Sequence, residues 1–332
     1  MNKNQDWLFC EKILPKVSRT FALNISKLSG TTYKSVLLGY LIFRIADTFE
    51  DTENLNENEK VKILCRFSDI FKGNKKLSER LRLYGDLKYK RDEKSDEKNL
   101  LVNGDRVLRC YFKLPSVYRK IIDPLVSETS LGMAEYQKRK LDSGLDTFQL
   151  RNFADLEKYC YYVAGVVGKM LTRIFSLKKT ISPVRRKLEK YQMDFGLALQ
   201  LVNIVKDFRK DIGRGWFYVP KTLIDINKTG KFTMMQKKKT IKKFISRIIK
   251  YFDSTLKYIK FIPLGETSVR LFCIIPFVLA YNTLENISKN RGDKISREKV
   301  FEILEKSVAF AKSNALLEKD YLETRDFLRH AG

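Results

Sequence analysis

Apolar residues recur at three- and four-residue steps along most of the chain, and strand-like alternation is scarce. The pattern predicts helices over about 33–53, 58–72, 115–140, 150–176, 184–211, 235–260, 264–288 and 297–328. Ser182 followed by Pro183 has the form of a helix N-cap and a first-turn proline. The polar run KYKRDEKSDEKN, Lys88 to Asn99, reads as an exposed connection, and Gly213 to Pro220 closes the helix before it. The most apolar segment, Leu271 to Ala280, is far shorter than the roughly 20 residues that span a bilayer, so a buried core helix is expected. No repeat or shift in composition divides the chain. One all-helical domain over residues 1–332 is the simplest expectation.

Composition narrows the chemistry. Apolar residues make up 44% and charged residues 31%, which suits a globular protein rather than a disordered one. The 5 cysteines are scattered, so a disulfide framework or a structural zinc site is not expected and a reducing compartment is. The single histidine, His330, lies beside the C-terminus, which excludes histidine triads, His-ligated zinc and a histidine general base from an internal site. The N-terminus, MNKNQDWLFCEKIL, has no long apolar core of a signal peptide, so a cytoplasmic protein is expected. With 65 Lys and Arg against 39 Asp and Glu, the net charge is +26, which favours anionic ligands and peripheral contact with anionic membrane. The run KKKTIKK at 237–243 reads as a solvated helix face, or more sharply as a membrane-surface contact. No nucleic-acid reader motif accompanies the charge, so nucleic acid is not an expected partner.

Against that basic background, Ile45 to Glu59 contains no Lys or Arg and six acidic residues: Asp47, Glu50, Asp51, Glu53, Glu57 and Glu59. Asp47 and Asp51 are four residues apart and so share one helix face, where like charges repel unless a cation lies between them. Alone, the pair is equally an acidic solvent face. QLVNIVKDFRKD repeats the spacing at Asp207 and Asp211, late in another long helix that also carries Gln200 and Asn203 within an apolar run. Carboxylates without His or paired Cys suit a hard cation such as magnesium, and through it a diphosphate. If the two helices face one another, the four carboxylates line one cavity.

Four motifs in order, covering about residues 15–300, resemble the squalene/phytoene synthase family, whose members join two prenyl diphosphates head to head. They are SRTF (Ser18, Arg19, Thr20, Phe21), YLIFRIADTFED with Tyr40 and Arg44 ahead of Asp47, YCYYVAGVVGKMLTRI from Tyr159, and GLALQLVNIVKDFRKD. GMAEY at 132–136 and FCIIP at 272–276 look like the squalene synthase branch. KISR (Lys294, Arg297) and DRVL (Arg106) resemble segments that contact NADPH phosphate or the phosphate-bearing ligand.

The resemblance implies an isoprenoid synthase-type helical bundle with a central cavity, acting as a monomer on farnesyl diphosphate with Mg2+ and NADPH. It assigns metal binding to Asp47, Asp51, Asp207 and Asp211. Diphosphate contacts fall to Ser18, Arg19, Thr20, Tyr40, Arg44, Gln200, Asn203 and Lys206, and proton loss or cation stabilisation to Tyr159. Ionisation, attack by the second molecule and closure of a cyclopropane would give presqualene diphosphate, and reduction would give squalene. The chain departs from the family pattern where Lys206 replaces an arginine and where Trp216 stands at an arginine position, with Arg214 two residues earlier. Tyr281 is a candidate for a late diphosphate-holding tyrosine. Three alternatives stay open: a dehydrosqualene or phytoene synthase that needs no reductant, a head-to-tail chain elongator, and a non-catalytic binding or assembly protein.

Overall fold

Helical periodicity carries directly into the computed structural model, which describes residues 3–87, 95–226 and 233–331. The fold is all-α; among the described residues the only strands are two of two residues each. Contacts group the chain into two units, Met1–Gly144 with Arg173–Phe175, and Leu145–Thr172 with Ser176–Gly332.

The first unit opens with α1 (Lys3–Val17) and the short α2 (Arg19–Ile25), whose N-cap is Ser18. The central helix α3 (Gly30–Asp51) buries Val36, Leu37, Leu41, Ile42, Ile45 and Phe49, the stripe that its three- and four-residue spacing requires. Then come α4 (Glu57–Ile70), α5 (Leu77–Gly85), α6 (Asp96–Val102), α7 (Gly104–Tyr111) and the long α8 (Ser116–Ser143). Helix α8 packs along α4 and α3. Phe49, Phe67, Phe71, Tyr84 and Tyr111 form a chain of edge-on aromatic contacts at centroid separations of 5.3–6.4 Å. The end of the acidic run has a local explanation. Asn56 and Glu59 form a capping box on α4, and Glu57 accepts an ion pair from Lys140 at 2.9 Å.

In the second unit, β1 (Phe148–Gln149) pairs in parallel with β2 (Trp216–Phe217), fastening the chain before α9 (Phe153–Cys160) to the chain after α12 (Gln192–Gly213). Gln149 donates to Val219 O at 2.6 Å and accepts from Ile226 N at 3.2 Å, reinforcing that tie. Helix α9 passes through a single wide π turn, Tyr161–Gly165, into α10 (Val166–Phe175). The glycines of the Tyr159–Gly168 stretch explain themselves here. A Cβ on Gly168 would overlap Gln192 O, and a Cβ on Gly196 would overlap Ala164 O, so α12 lies backbone to backbone against this segment.

After α11 (Arg185–Glu189) and α12 come α13 (Met234–Phe261), α14 (Thr267–Ser288), α15 (Arg297–Lys312) and α16 (Asn314–Ala331). Among the described residues one helix, Thr267–Ser288, is long and apolar enough to cross a membrane, and 78% of its apolar window is buried within the protein. Arg270 on α14 is 0% exposed. It donates to Ile259 O and Ile262 O at the end of α13, to Ala311 O and Phe310 O at the end of α15, and to Asn314 Oδ1 at the start of α16. One guanidinium thus satisfies carbonyls that helix termini leave without intrahelical donors.

Several expectations need correction. The 150–176 pattern is interrupted by the π turn, 184–211 breaks at Tyr191, and 297–328 breaks at Ser313. Ser182 and Pro183 begin a 3-10 turn (Ser182–Val184) rather than capping an α-helix. Of the 88–99 run, 88–94 lie outside the described residues, while Ser95 caps α6 and Asp96–Asn99 are helical. In the 237–243 run, Lys238, Lys239, Lys242 and Lys243 are exposed, and Thr240 is buried.

Candidate functional site

In the first unit, helix α3 sets the acidic pair one turn apart near its C-terminal end. Asp51 is exposed, and Asp47 keeps 35% of its side chain accessible. Although partly accessible, the Asp47 carboxyl is pushed up to about 7, chiefly by desolvation, with the Asp51 charge adding and Arg44 opposing. A cation bound beside it would reverse that direction. Glu50, three residues after Asp47 on α3, is buried at 6% exposure, where desolvation and then the charges of Asp51 and Asp47 push it up to about 8 while Lys60 opposes. It flanks the aspartate pair on the side of α3 that turns into the core.

Arg44 is drawn to two carboxylates, Glu97 at 3.0 Å and Asp47 at 3.9 Å. Tyr40, one turn earlier, is pushed up to about 12 by burial, while a hydrogen bond with Ser18 opposes the shift. Its ring stacks on Phe21 at 4.9 Å. The SRTF segment is thereby locked to α3: Ser18 caps α2 through Phe21 N at 3.3 Å, and Arg19 and Thr20 stand exposed in the first turn. Arg106 is placed otherwise. Its guanidinium donates to Asp6 Oδ1 at 3.2 Å and Gln5 O at 2.8 Å, and covers the Phe9 ring at 4.8 Å, so it is engaged in holding α1 to α7.

In the second unit, α12 presents Asn203, Lys206, Asp207 and Asp211 late in its length. Lys206 Nζ donates to Asn203 Oδ1 at 3.1 Å and stands 3.4 Å from Asp207, whose side chain is 41% exposed. Asp211 is nearly buried, with 8% of its side chain exposed, and pairs with Arg214 Nη2 at 2.6 Å. Gln200 is half-buried. Tyr159 is 4% exposed; its hydroxyl and that of Tyr218 are 2.9 Å apart, and its ring stacks on Tyr218 at 5.0 Å and Trp216 at 6.0 Å. Trp216, at the position where an arginine was expected, therefore serves as the floor of an aromatic stack. Lys294 and Arg297 are exposed, flanking Ser296, which caps α15 through Lys299 N at 3.2 Å. Tyr281 is fully buried and donates to Asp320, so it packs the core rather than presenting its hydroxyl to a ligand.

Glu97 and Tyr218 escaped the sequence reading, because no spacing rule ties them to Arg44 or Tyr159; Arg214, noted there only beside Trp216, stands at the i, i+3 ion-pair spacing from Asp211. Among the described residues, no three His, Cys, Asp or Glu side chains converge as a ready cation cage. The accessible oxygens of Asp47 and Asp207 and the exposed Asp51 nevertheless suit a hard divalent ion, and the exposed cations at the start of α15 suit a phosphate.

A family model described as squalene/phytoene synthase matches residues 14–303. The squalene synthase of Schizosaccharomyces pombe is 28% identical over 287 residues, covering 85% of this chain and 59% of the yeast protein. That of Eremothecium gossypii is 30% identical over 292 residues, covering 85% and 62%, and that of Mus musculus is 27% identical over 290, covering 85% and 64%. The chain thus spans less than two thirds of the length of these curated relatives. Among solved structures, TcSQS in complex with a ligand superposes at a TM-score of 0.79 with 22% identity, covering 98% of this chain and 96% of that one. A dehydrosqualene synthase superposes at 0.63 with 21% identity, covering 93% and 98%. Motif order, all-α fold and a match running through both units agree: the chain belongs to the squalene/phytoene synthase family.

Proposed function

We propose that this protein is a prenyltransferase of the squalene synthase type, condensing two farnesyl diphosphates head to head to presqualene diphosphate and, with NADPH, to squalene. The observation that carries the reading is the recurrence of one device on two helices of a family member. Each helix bears aspartates one turn apart, accompanied by a basic side chain: Arg44 with Asp47 and Asp51, Lys206 with Asp207 and Asp211.

Asp47, Asp51, Asp207 and Asp211 would hold magnesium, which when bound would offset the diphosphate charge as it leaves. Arg19, Arg44 and Lys206 supply further anion contacts. Ser18 acts through its cap and through Tyr40, keeping Arg19 and Thr20 at the first turn of α2. Tyr159, held by Tyr218 and stacked on Trp216, offers an electron-rich face and a fixed hydroxyl to the allylic cation or to the departing proton. The exposed Lys294 and Arg297 would receive the phosphate of the reductant. Arg106, engaged with Asp6, is assigned to structure first and to ligand only if the ion pair opens.

The test is an incubation of purified protein with farnesyl diphosphate and magnesium, with and without NADPH, followed by lipid extraction. Squalene formed only with NADPH supports the full reading. Presqualene diphosphate or dehydrosqualene in both tubes restricts the activity to the reading without reductant, and no consumption of any prenyl diphosphate refutes it. Asp47→Asn and Asp207→Asn should each abolish turnover while the helical circular-dichroism signal persists.

A further inference from the structure

Arg44, Lys206 and Arg214 each stand beside a carboxylate of the aspartate pairs, and they hold those carboxylates unequally. Arg44 Nη1 lies 3.9 Å from Asp47 and Lys206 Nζ 3.4 Å from Asp207, on side chains that are 35% and 41% exposed. Arg214 Nη2 donates to Asp211 Oδ1 at 2.6 Å, on a side chain that is only 8% exposed. The end of α12 sets this closer pair. Arg214 is the C-cap residue, and its backbone N–H donates to Asp211 O at 3.0 Å, so backbone and side chain both return to the same residue. Gly215, at φ 73°, then turns the chain into β2, where Trp216 is buried and stacks on Tyr159. The cation at this helix end therefore falls at the i, i+3 spacing from Asp211, in a turn whose last carbonyls favour positive charge.

We infer that Arg214 is an internal counter-ion that competes with a divalent cation for Asp211, so that this carboxylate joins a metal site only when the ion pair opens. The inference rests on the metal role proposed for α12. A nearly buried carboxylate needs a countercharge and hydrogen bonds, and the guanidinium supplies both to Asp211 before any metal arrives. A cation that takes Asp211 must displace this contact, and the displaced guanidinium then leaves its positive charge beside the newcomer. Asp207 is guarded less closely, since Lys206 Nζ stands farther from it and donates instead to Asn203 Oδ1 at 3.1 Å. A cation arriving alone is thus held by Asp207 and opposed at Asp211. Arg214 is a positioning residue that acts through Asp211 and sets how tightly α12 takes a metal.

The experiment titrates the full-length, metal-free protein with Mn2+ while electron paramagnetic resonance measures the free ion. Arg214→Gln should bind Mn2+ about tenfold more tightly than wild type, the size of coupling expected between charges in contact. Arg214→Lys restores the charge and should stay within about threefold of wild type. The gain should vanish in the double variant Arg214→Gln/Asp211→Asn, and Lys210→Gln, which removes an exposed neighbouring charge, should change the affinity by less than about twofold. Thermal unfolding gives a second readout, for Mn2+ should raise the midpoint of Arg214→Gln more than that of wild type. An unchanged or weaker affinity in Arg214→Gln, a gain that survives loss of Asp211, or an equal gain in Lys210→Gln overturns the inference alone. Wild type and Arg214→Gln that both fail to bind Mn2+ remove the metal role of α12 and the inference with it.

Discussion

Replacing Gly168 by alanine tests whether the glycines after Tyr159 are packing positions rather than ligand contacts. The added methyl would overlap Gln192 O and approach its carbonyl carbon to 3.0 Å. Both neighbours are backbone, at the first residue of α12, so no side chain can swing aside. Either α10 or α12 must retreat by roughly an ångström, and overpacking of this kind costs about 3 kcal/mol at the upper end of the usual range. Alanine returns about 1 kcal/mol of helix propensity, leaving a net loss of about 2 kcal/mol. Gly85 is the matched control. It ends α5 with no atom within 4 Å of its added Cβ, so Gly85→Ala should be neutral or stabilising by up to about 1 kcal/mol. Urea unfolding followed by far-UV circular dichroism measures both. Because α12 carries Asp207 and Asp211, turnover of farnesyl diphosphate should fall further in Gly168→Ala than the stability loss alone would produce. A Gly168→Ala protein within about 0.5 kcal/mol of wild type, with full turnover, would refute the close-packing argument.

Arg270→Met should lose about 3–5 kcal/mol in the same unfolding assay, because it strips donors from the ends of α13 and α15 and from Asn314 while filling similar volume; an unchanged midpoint would contradict that role. Asp6 is held below the ordinary carboxylate range by hydrogen bonds from Arg109 and Arg106 that outweigh its burial. Its stabilising contribution is present above the unfolded value of about 3.8 and is lost as pH falls through the lower folded value. The stability gap between wild type and Asp6→Asn should therefore be wide at pH 7 and narrow towards pH 3, and a gap that widens on acidification would show the sign to be wrong. Tyr218→Phe removes the hydroxyl that meets Tyr159 at 2.9 Å and, if Tyr159 orients the reacting cation, should slow presqualene diphosphate formation by roughly fivefold with little change in KM.

Long amphipathic helices were legible because periodicity and burial coincide: the stripe read over 33–53 is the buried stripe of α3. Breaks inside such stripes were not legible, since the apolar rhythm continues through Tyr191 and Ser313 while the backbone does not. The short helices α2, α5, α6 and α7 have seven to nine residues each, too few for periodicity to separate them from loops. The aspartate pairs could be read as sharing helix faces because an i, i+4 relation is local. Contacts such as Arg44 with Glu97 join residues 53 apart, and only the fold brings them together.

The π turn at Tyr161–Gly165 makes the length of this segment as consequential as its composition. An α-helix rotates by about 100° per residue, and a π turn accommodates one extra residue without breaking the hydrogen-bonded rod. Upstream of it Tyr159 meets Trp216 and Tyr218; downstream Gly168 meets Gln192. Deleting one residue within the turn would leave every side chain around it chemically intact, yet turn α10 by more than a quarter of a revolution relative to Tyr159. The aromatic stack and the glycine contact could then no longer be satisfied together, so relatives that keep both should vary here by substitution and not by loss of a residue.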